Sequence, residues 1–407
     1  MRQLAELAEL FADSVIGDPA GVELTGITLA TADLRSGEVF VAIAGANRHG
    51  AEFAAAAAEA GAVAVITDAA GAAIAAGAGI PVLIVDNPRA LLGTLSAWVY
   101  GTGTGSDTLS GRALAAASKD LPPMPLLFGT TGTNGKTSVS HLLEGILQQV
   151  GAVTGLSSTA ERHIGDQIVV SRLTTPEASE MHALLALMRE RGVEAVAVEV
   201  SAQALSRHRV DGIVFDVAGF TNLSHDHLDD YADMREYFEA KAPLFQPDRA
   251  RRGVVSLDTA AGHEIVAGAG IPIVTVGTPA MAQDATAAAA ASWVVTIGDE
   301  VQAYTEFTLS GPDGRSLTTR VPVIGPHMAA NASLAIVMML EVGYEWDAIV
   351  KALTRDGGIR AYLPGRTERV SGDTGPAVFV DFGHSPDACG KAVAAVRRVT
   401  PGKVLML

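Results

Sequence analysis

The stretch that most constrains this chain is LLFGTTGTNGKTSVSHLLEGIL, Leu126 to Leu147. A short apolar run ends in a glycine-rich turn, and a helical pattern begins near Lys136. Strand, turn and helix in that order call for an α/β sheet with the turn at the carboxyl edge of a strand. There the N–H groups of the turn and the positive end of the helix can cradle phosphate oxygens. Lys136 can neutralise β- and γ-phosphates, and the Thr137 hydroxyl can serve magnesium. The spacing departs from the usual P-loop. Counted back from Gly135, Lys136 and Thr137, that pattern wants glycine at 130, but this chain has Thr130, with glycines at 129 and 132. The bland alternative is a strand–turn–helix connection with an exposed lysine.

The chain has 407 residues, enough for two or three domains. Hydrophobic residues make up 48% and charged ones 18%, ample for large cores. The apolar runs are Ala-rich and read as elements of α/β units, so membrane insertion is not expected. No start of the secretory type is expected either. The single cysteine, Cys389, cannot form an internal disulfide and fits a reducing cytosol. The formal net charge of −16 argues against broad nucleic-acid binding. An anionic substrate must then be held by local donors and magnesium.

Along residues 1–100, Leu4, Leu7, Phe11 and Val15 recur at helical spacing. VFVAIAG, AVAVIT and PVLIVD read as buried strands between Ala-rich helices. GTGTGSDTLSG and DLPPMP then predict a flexible linker over 101–125. PLLFG, AVAVEV and IVFDVAGF predict further buried strands, whereas SWVVTI, AYTEFTL and SLTTRVPV look antiparallel. Helices are expected at about 326–343 and 346–355. LPGRTERV opens a third unit, in which AVFVDF, a helix near 386–398 and KVLML make one βαβ. The expected domains are 1–100, 126–363 and 364–407.

Three further constellations carry chemistry. Glu199 ends the apolar strand of VAVEVSAQALSRHRV, where a carboxylate can hold magnesium between phosphates. Its structural alternative is a helix-capping acid. FTNLSHDHLDDY packs His225, Asp226, His227 and Asp229 behind a strand, as a metal or phosphoryl site would. The alternative there is a polar loop. Lys241, in MREYFEAKAPLF, reads by composition as a solvated lysine on an amphipathic helix.

Taken in order, GTTGTNGKTS, TTPE, EVSAQAL, HRV, TNLSHDHLD, EAK, Asn331, GRTE and VDFGHSPDA resemble the Mur ligases of peptidoglycan synthesis. Within that family the likeness is to the branch that adds the third residue of the stem peptide. It runs from about residue 20 to the end. It implies an α/β fold of three domains, with a P-loop-type central domain and a truncated Rossmann-like third domain. Domain 1–100 would bind the UDP-sugar, 126–363 would bind ATP, and 364–407 would be part of the amino-acid-binding domain. The implied enzyme is a cytoplasmic, ATP-dependent ligase, monomeric or weakly oligomeric, working with magnesium in cell-wall synthesis. It would activate the carboxylate of UDP-MurNAc-L-Ala-D-Glu as an acyl phosphate. The amine of meso-diaminopimelate or L-lysine would then attack.

By the same resemblance, Gly132, Thr133, Asn134, Gly135, Lys136, Thr137 and Ser138 serve ATP. Asn331, Arg366, Asp381 and His384 stand on the nucleotide side. Thr137 and Glu199 would serve one magnesium and His227 a second. Lys241 stands at the family's carbamylated lysine, whose carbamate supports magnesium. Lys136, Glu199, His227 and Lys241 form the implied catalytic set. Thr31, His49, Thr174, Thr175, Ser201, Arg207 and Arg209 stand at substrate positions.

The chain also departs from the family. Ala30, Thr31 and Ala32 replace an Asp-Ser-Arg uridine motif, Gln203 replaces a common histidine, and Asp230-Tyr231 replaces an aromatic-His pair. The family's diaminopimelate-selecting DNPR box is expected beyond residue 407. The DNPR at Asp86 to Arg89 reads instead as a turn and helix start. The short third unit suggests either a piece of a longer ligase or a shortened homologue with weak or no ligase activity. Two other readings stay open: a folylpolyglutamate synthase-like amide ligase, and a non-catalytic nucleotide- and UDP-sugar-binding remnant.

Overall fold

Strands buried on both faces read as unbroken apolar runs, whereas half-exposed strands alternate. This chain contains both kinds, and the computed structural model combines them in its largest sheet. It describes residues 2–103, 119, 121–227, 229–372 and 374–407. The contacts divide into two units. One comprises 1–124, 176–190 and 204–213, and the other comprises 125–175, 191–203 and 214–407.

The first unit holds a five-stranded sheet. Ser14–Ile16 pairs antiparallel with Val82–Ile84, and Ala64–Thr67, Glu38–Ala42 and Gly26–Thr28 follow in parallel. The strands expected at VFVAIAG, AVAVIT and PVLIVD are all here. Val15 is not helical, because the first helix, Leu4–Phe11, stops short of it. Its backbone instead pairs with Leu83, so a ladder overrides the helical spacing. The DNPR segment does start a helix. The Asn87 side chain accepts from Ala90 N at 3.0 Å, and Pro88 opens helix Pro88–Tyr100. Gly101 closes that helix in the left-handed conformation. Most of the linker expected over 101–125, namely 104–118 and 120, lies outside the described residues.

The second unit is built on an eleven-stranded sheet. Its middle is parallel, in the order Thr154–Ser157, Ala195–Glu199, Leu126–Thr131, Val217–Phe220, Gly253–Ser256, Ile273–Gly277 and Trp293–Val301. Antiparallel strands finish both edges: Glu161–Ile164 and Gln167–Val170 on one side, Tyr304–Ser310 and Ser316–Val321 on the other. Ala195–Glu199 is buried at every residue, whereas Ser316–Val321 alternates exposed and buried. Helix Pro326–Glu341 is apolar nearly all round. It is correspondingly buried, packed on helix Lys136–Gln149 and the sheet.

The chain order doubles back at Leu126–Thr131, which has Ala195–Glu199 on one side and Val217–Phe220 on the other. Such a switch point opens a crevice at the carboxyl ends of the strands. Beyond 364 the structure is sparser. The helix expected near 386–398 is Pro386–Arg398, but AVFVDF gives only Phe379–Val380, paired with Glu368–Arg369. KVLML forms no strand. A strand needs a partner for its N–H and C=O groups, and no described strand runs beside it; Leu405, Met406 and Leu407 are exposed.

Candidate active site

The glycine-rich turn lies at this switch point. Leu126–Thr131 delivers it, and Lys136 opens the following helix. Gly132 has φ +142°, and a Cβ there would sit 2.0 Å from Thr221 Oγ1; Gly135 has φ +92° and abuts Asn331. Neither position tolerates a side chain. Bonds from the neighbouring strand end hold the turn open. Thr133 N donates to Asn222 O at 2.9 Å, Asn134 N donates to Asn222 Oδ1 at 3.1 Å, and Thr221 Oγ1 donates to Asn134 O at 2.7 Å. Lys136 Nζ folds back onto the carbonyls of Gly132 and Thr133, at 3.1 and 2.8 Å. Burial lowers its pKa, partly offset by the Glu199 charge. Phosphate oxygens fit this cradle, offering the ammonium a better partner than two carbonyls.

Glu199 pairs in register with Thr130 on the adjacent strand, so its carboxylate emerges beside the turn. It is fully buried, and Thr159 donates to it through N at 2.9 Å and through Oγ1 at 3.0 Å. Thr175 Oγ1 donates to the Glu199 carbonyl at 2.7 Å and accepts from Ser201 N at 3.2 Å. Thr174 Oγ1 lies 3.0 Å from Thr159 Oγ1. Thr174, Thr175 and Ser201 therefore gather around the end of the Glu199 strand.

Arg366 donates to Thr137 Oγ1 at 2.7 Å and lies over the Phe382 ring. Asp381 accepts from Thr367 N and Gly383 N, both at 2.7 Å. Thr367 holds φ +45°, a strained value for a β-branched residue, and its bonds to Asp381 help fix it there. Asn134, Asn331, Arg366, Asp381 and His384 all line one cleft.

His227 stands at φ +55°, and its Nδ1 is 3.1 Å from Gln203 Nε2. Burial lowers its pKa, which keeps the imidazole neutral and fit to ligate. Lys241 is 1% exposed, the reverse of the solvated lysine that composition suggests. Its Nζ rests 4.0 Å from the centroid of the Tyr237 ring, and burial, reinforced by Lys136, drives its pKa well down. The reason is tertiary: Lys241 joins helix Met234–Glu239 to the 3₁₀ turn Ala242–Phe245, and Tyr237, Phe238, Leu244 and Phe245 on these two elements are all buried.

Magnesium fits the oxygen donors present, the Glu199 carboxylate and the Thr137 hydroxyl. Among the described residues, no group of three or more His, Cys, Asp or Glu forms a metal cage. Magnesium does not need one, since it commonly takes one or two protein oxygens and completes its shell with water and phosphates.

The remaining expected substrate residues belong to the other unit. His49 caps a short helix there, accepting from Ala51 N at 3.0 Å, with Nε2 3.1 Å from Asp68. Thr31 begins a 3₁₀ turn, and Arg207 is exposed. Arg209 Nε lies 3.0 Å from Glu177 Oε1, while Arg89 donates to Glu177 Oε2 at 2.6 Å. The arginine of the DNPR segment thus has a structural partner.

The model of the Mur ligase middle domain matches residues 130–339, and that of the Mur ligase family catalytic domain matches residues 23–100. The chain belongs to the Mur ligase family. It is 55% identical over 406 residues to UDP-N-acetylmuramyl-tripeptide synthetase of Leifsonia xyli subsp. xyli, covering 100% of this chain and 74% of the relative. It is 41% identical to UDP-N-acetylmuramoyl-L-alanyl-D-glutamate–2,6-diaminopimelate ligase of Streptomyces avermitilis, covering 98% and 73%. A solved structure of a ligase with that second name superposes with a TM-score of 0.75 at 23% identity, covering 98% of this chain and 74% of the other. Mur ligases are ATP-dependent amide ligases.

One residue of the site has no counterpart among the motifs of the sequence, and another is singled out there only within a cluster. Thr159 supplies both donors to Glu199, and no local motif marks it. Asp226 has its Oδ2 3.8 Å from His227 Nε2 and 3.9 Å from His384 Nε2, and its charge opposes the lowered pKa values of Lys136 and Lys241. The sequence marks Asp226 only as one member of a metal or phosphoryl cluster.

Proposed function

We propose that this chain joins a diamino acid, meso-diaminopimelate or L-lysine, to UDP-MurNAc-L-Ala-D-Glu at the expense of ATP, in the cytoplasm. The observation that carries the reading is the gathering of Lys136, Glu199 and Lys241 about one phosphate loop. The likeness to a tripeptide synthetase along the whole chain supports it.

The chemical obstacle is crowded negative charge, since a carboxylate oxygen must reach a γ-phosphate. Loop N–H groups and Lys136 hold the phosphates, and Lys136 exchanges its two carbonyl partners for phosphate oxygens. Arg366 adds a second cation at Thr137. The D-glutamyl carboxylate attacks the γ-phosphorus and ADP leaves. The amine then attacks the acyl phosphate and expels inorganic phosphate. Thr137 and Glu199 would hold magnesium, with His227 and a carbamylated Lys241 holding a second. The metal would supply charge screening for the transferring phosphoryl group. Burial drives the Lys241 pKa well down, which favours the free amine that carbamylation requires.

Asn331, Asp381 and His384 serve the nucleotide side. Thr31, His49, Thr174, Thr175, Ser201, Arg207 and Arg209 serve the UDP-substrate. In this reading 1–100 is the UDP-sugar domain, 126–363 the ATP domain, and 364–407 belongs to the amino-acid side.

The test is phosphate release from ATP with UDP-MurNAc-L-Ala-D-Glu, adding each diamino acid in turn, with product mass. One amino acid should give a tripeptide product, and Lys136→Ala should lower kcat by about 100-fold or more, as losing one preorganised oxyanion donor does. Turnover that persists in Lys136→Ala, or that ignores the UDP-substrate, would refute the reading.

A further inference from the structure

Glu199 owes its place to one turn. Both of its donors come from Thr159, in the turn at 158–161. Ser158 Oγ knits that turn together, accepting from Ala160 N at 3.2 Å and Glu161 N at 3.1 Å, and donating to Glu161 O at 3.0 Å.

The helix that begins at Lys136 grips this turn at two points. His141 Nε2 lies 3.2 Å from Ser158 Oγ. Glu144, one turn further along, reaches His163, which in turn reaches Glu161. His163 Nδ1 is 2.9 Å from both Glu144 oxygens, and Nε2 is 3.0 Å from Glu161 Oε2. A neutral imidazole carries one N–H, so carboxylates on both ring nitrogens require both to donate. The geometry therefore fits an imidazolium, and the Glu144 side chain it faces is buried.

We infer that His163 is a positioning residue: bridging Glu144 and Glu161, it locks the 158–161 turn to the phosphate-loop helix and so aims Thr159 at Glu199. This rests on the proposed place of Glu199 in the magnesium-side set. The bridge needs charge. Glu144 and Glu161 hold the His163 pKa above its usual value, against the opposing effect of burial. Two more titratable groups stand nearby: His141, 6.2 Å away ring to ring, which burial keeps neutral with a pKa of about 4, and Tyr362, which faces Glu161 and whose pKa is raised. The strand neighbours paired with His163, Leu156 and Ile168, carry no charge.

A raised pKa means that the bridge is intact below it and is lost as pH rises through it. Removing the charge should cost roughly 10-fold to 100-fold in activity, as losing a partner behind a metal ligand does.

The experiment compares the pH dependence of ligation in the wild-type chain and in His163→Gln. Imidazole NMR of His163 and thermal melting accompany it. The wild type should lose activity along an alkaline limb that coincides with the NMR titration of His163. His163→Gln should be slow at neutral pH and lack that limb. If His163→Gln melts before assay, Glu161→Gln, which removes the other end of the bridge, should show the same missing limb.

A His163→Gln or Glu161→Gln profile that overlays the wild type would overturn the inference, as would a His163 that titrates at or below the ordinary histidine range. Glu199→Ala separates the two claims. An inactive Glu199→Ala beside an unchanged His163→Gln profile sinks the positioning role alone, whereas a fully active Glu199→Ala removes the ground beneath both.

Discussion

An ammonium ion buried without a partner is among the costlier things a protein interior can hold. Lys241, 1% exposed with its Nζ against the Tyr237 ring, escapes that cost by losing its proton readily. The neutral amine prevails above the depressed pKa and is lost as pH falls through it. A carbamate formed there should follow the same direction. With ¹³C-bicarbonate at neutral pH, a carbamate carbon signal should appear, fade on acidification and be absent in Lys241→Ala. A spectrum identical in the wild type and the variant would contradict the carbamate. Gly132 makes a steric prediction. Gly132→Ala would force Cβ to 2.0 Å from Thr221 Oγ1 at φ +142°. It should cost at least about 1–3 kcal/mol in strain and abolish ATP binding, checked by denaturant titration and calorimetry. The phosphate loop was legible in the sequence because its residues are local. Thr159 and His163 were not, because their partners lie 40 and 19 residues away in the sequence and meet them only through tertiary packing. Lys241 was misjudged by composition because burial is a tertiary property.

At the scale of elements, the pattern of apolar runs told most parallel strands from the alternating ones at one edge, since the two kinds differ in the faces they bury. But Trp293–Val301, expected to be antiparallel, is parallel to Ile273–Gly277 and antiparallel only to Tyr304–Ser310. The pattern failed where pairing decides. Val15 kept helical spacing yet joins a ladder, and KVLML had a strand's composition without a partner. The DNPR segment shows the value of context, because a cap and an N1 proline explain it. Asn87→Ala should cost about 1 kcal/mol of stability by removing the bond to Ala90 N, read as a shift in the denaturation midpoint. Behind that cap, Trp98 is 1% exposed, and Trp98→Ala should cost about 3–5 kcal/mol. If Asn87→Ala were the more damaging of the two, the helix would owe its place to its cap and not to its packing.

At the scale of the whole molecule, segments 176–190 and 204–213 belong to the same unit as the first 124 residues, although the strand Ala195–Glu199 between them belongs to the other. No local pattern announces such an exchange, because it is written in side-chain contacts and not in periodicity. The order of motifs did survive this interleaving, which is why the family was legible before the fold was. The net charge of −16 leaves substrate anions to local donors, so the chemistry stands or falls at the loop. The most direct measurement uses UDP-MurNAc-L-Ala-D-Glu labelled with ¹⁸O in the D-glutamyl carboxylate, turned over with ATP and the diamino acid. One ¹⁸O atom should pass into the released phosphate, because a carboxylate oxygen bonds to the γ-phosphorus before the amine displaces it. Unlabelled phosphate would mean that water takes the phosphoryl group, and the chain would then be a nucleotide hydrolase and not a ligase.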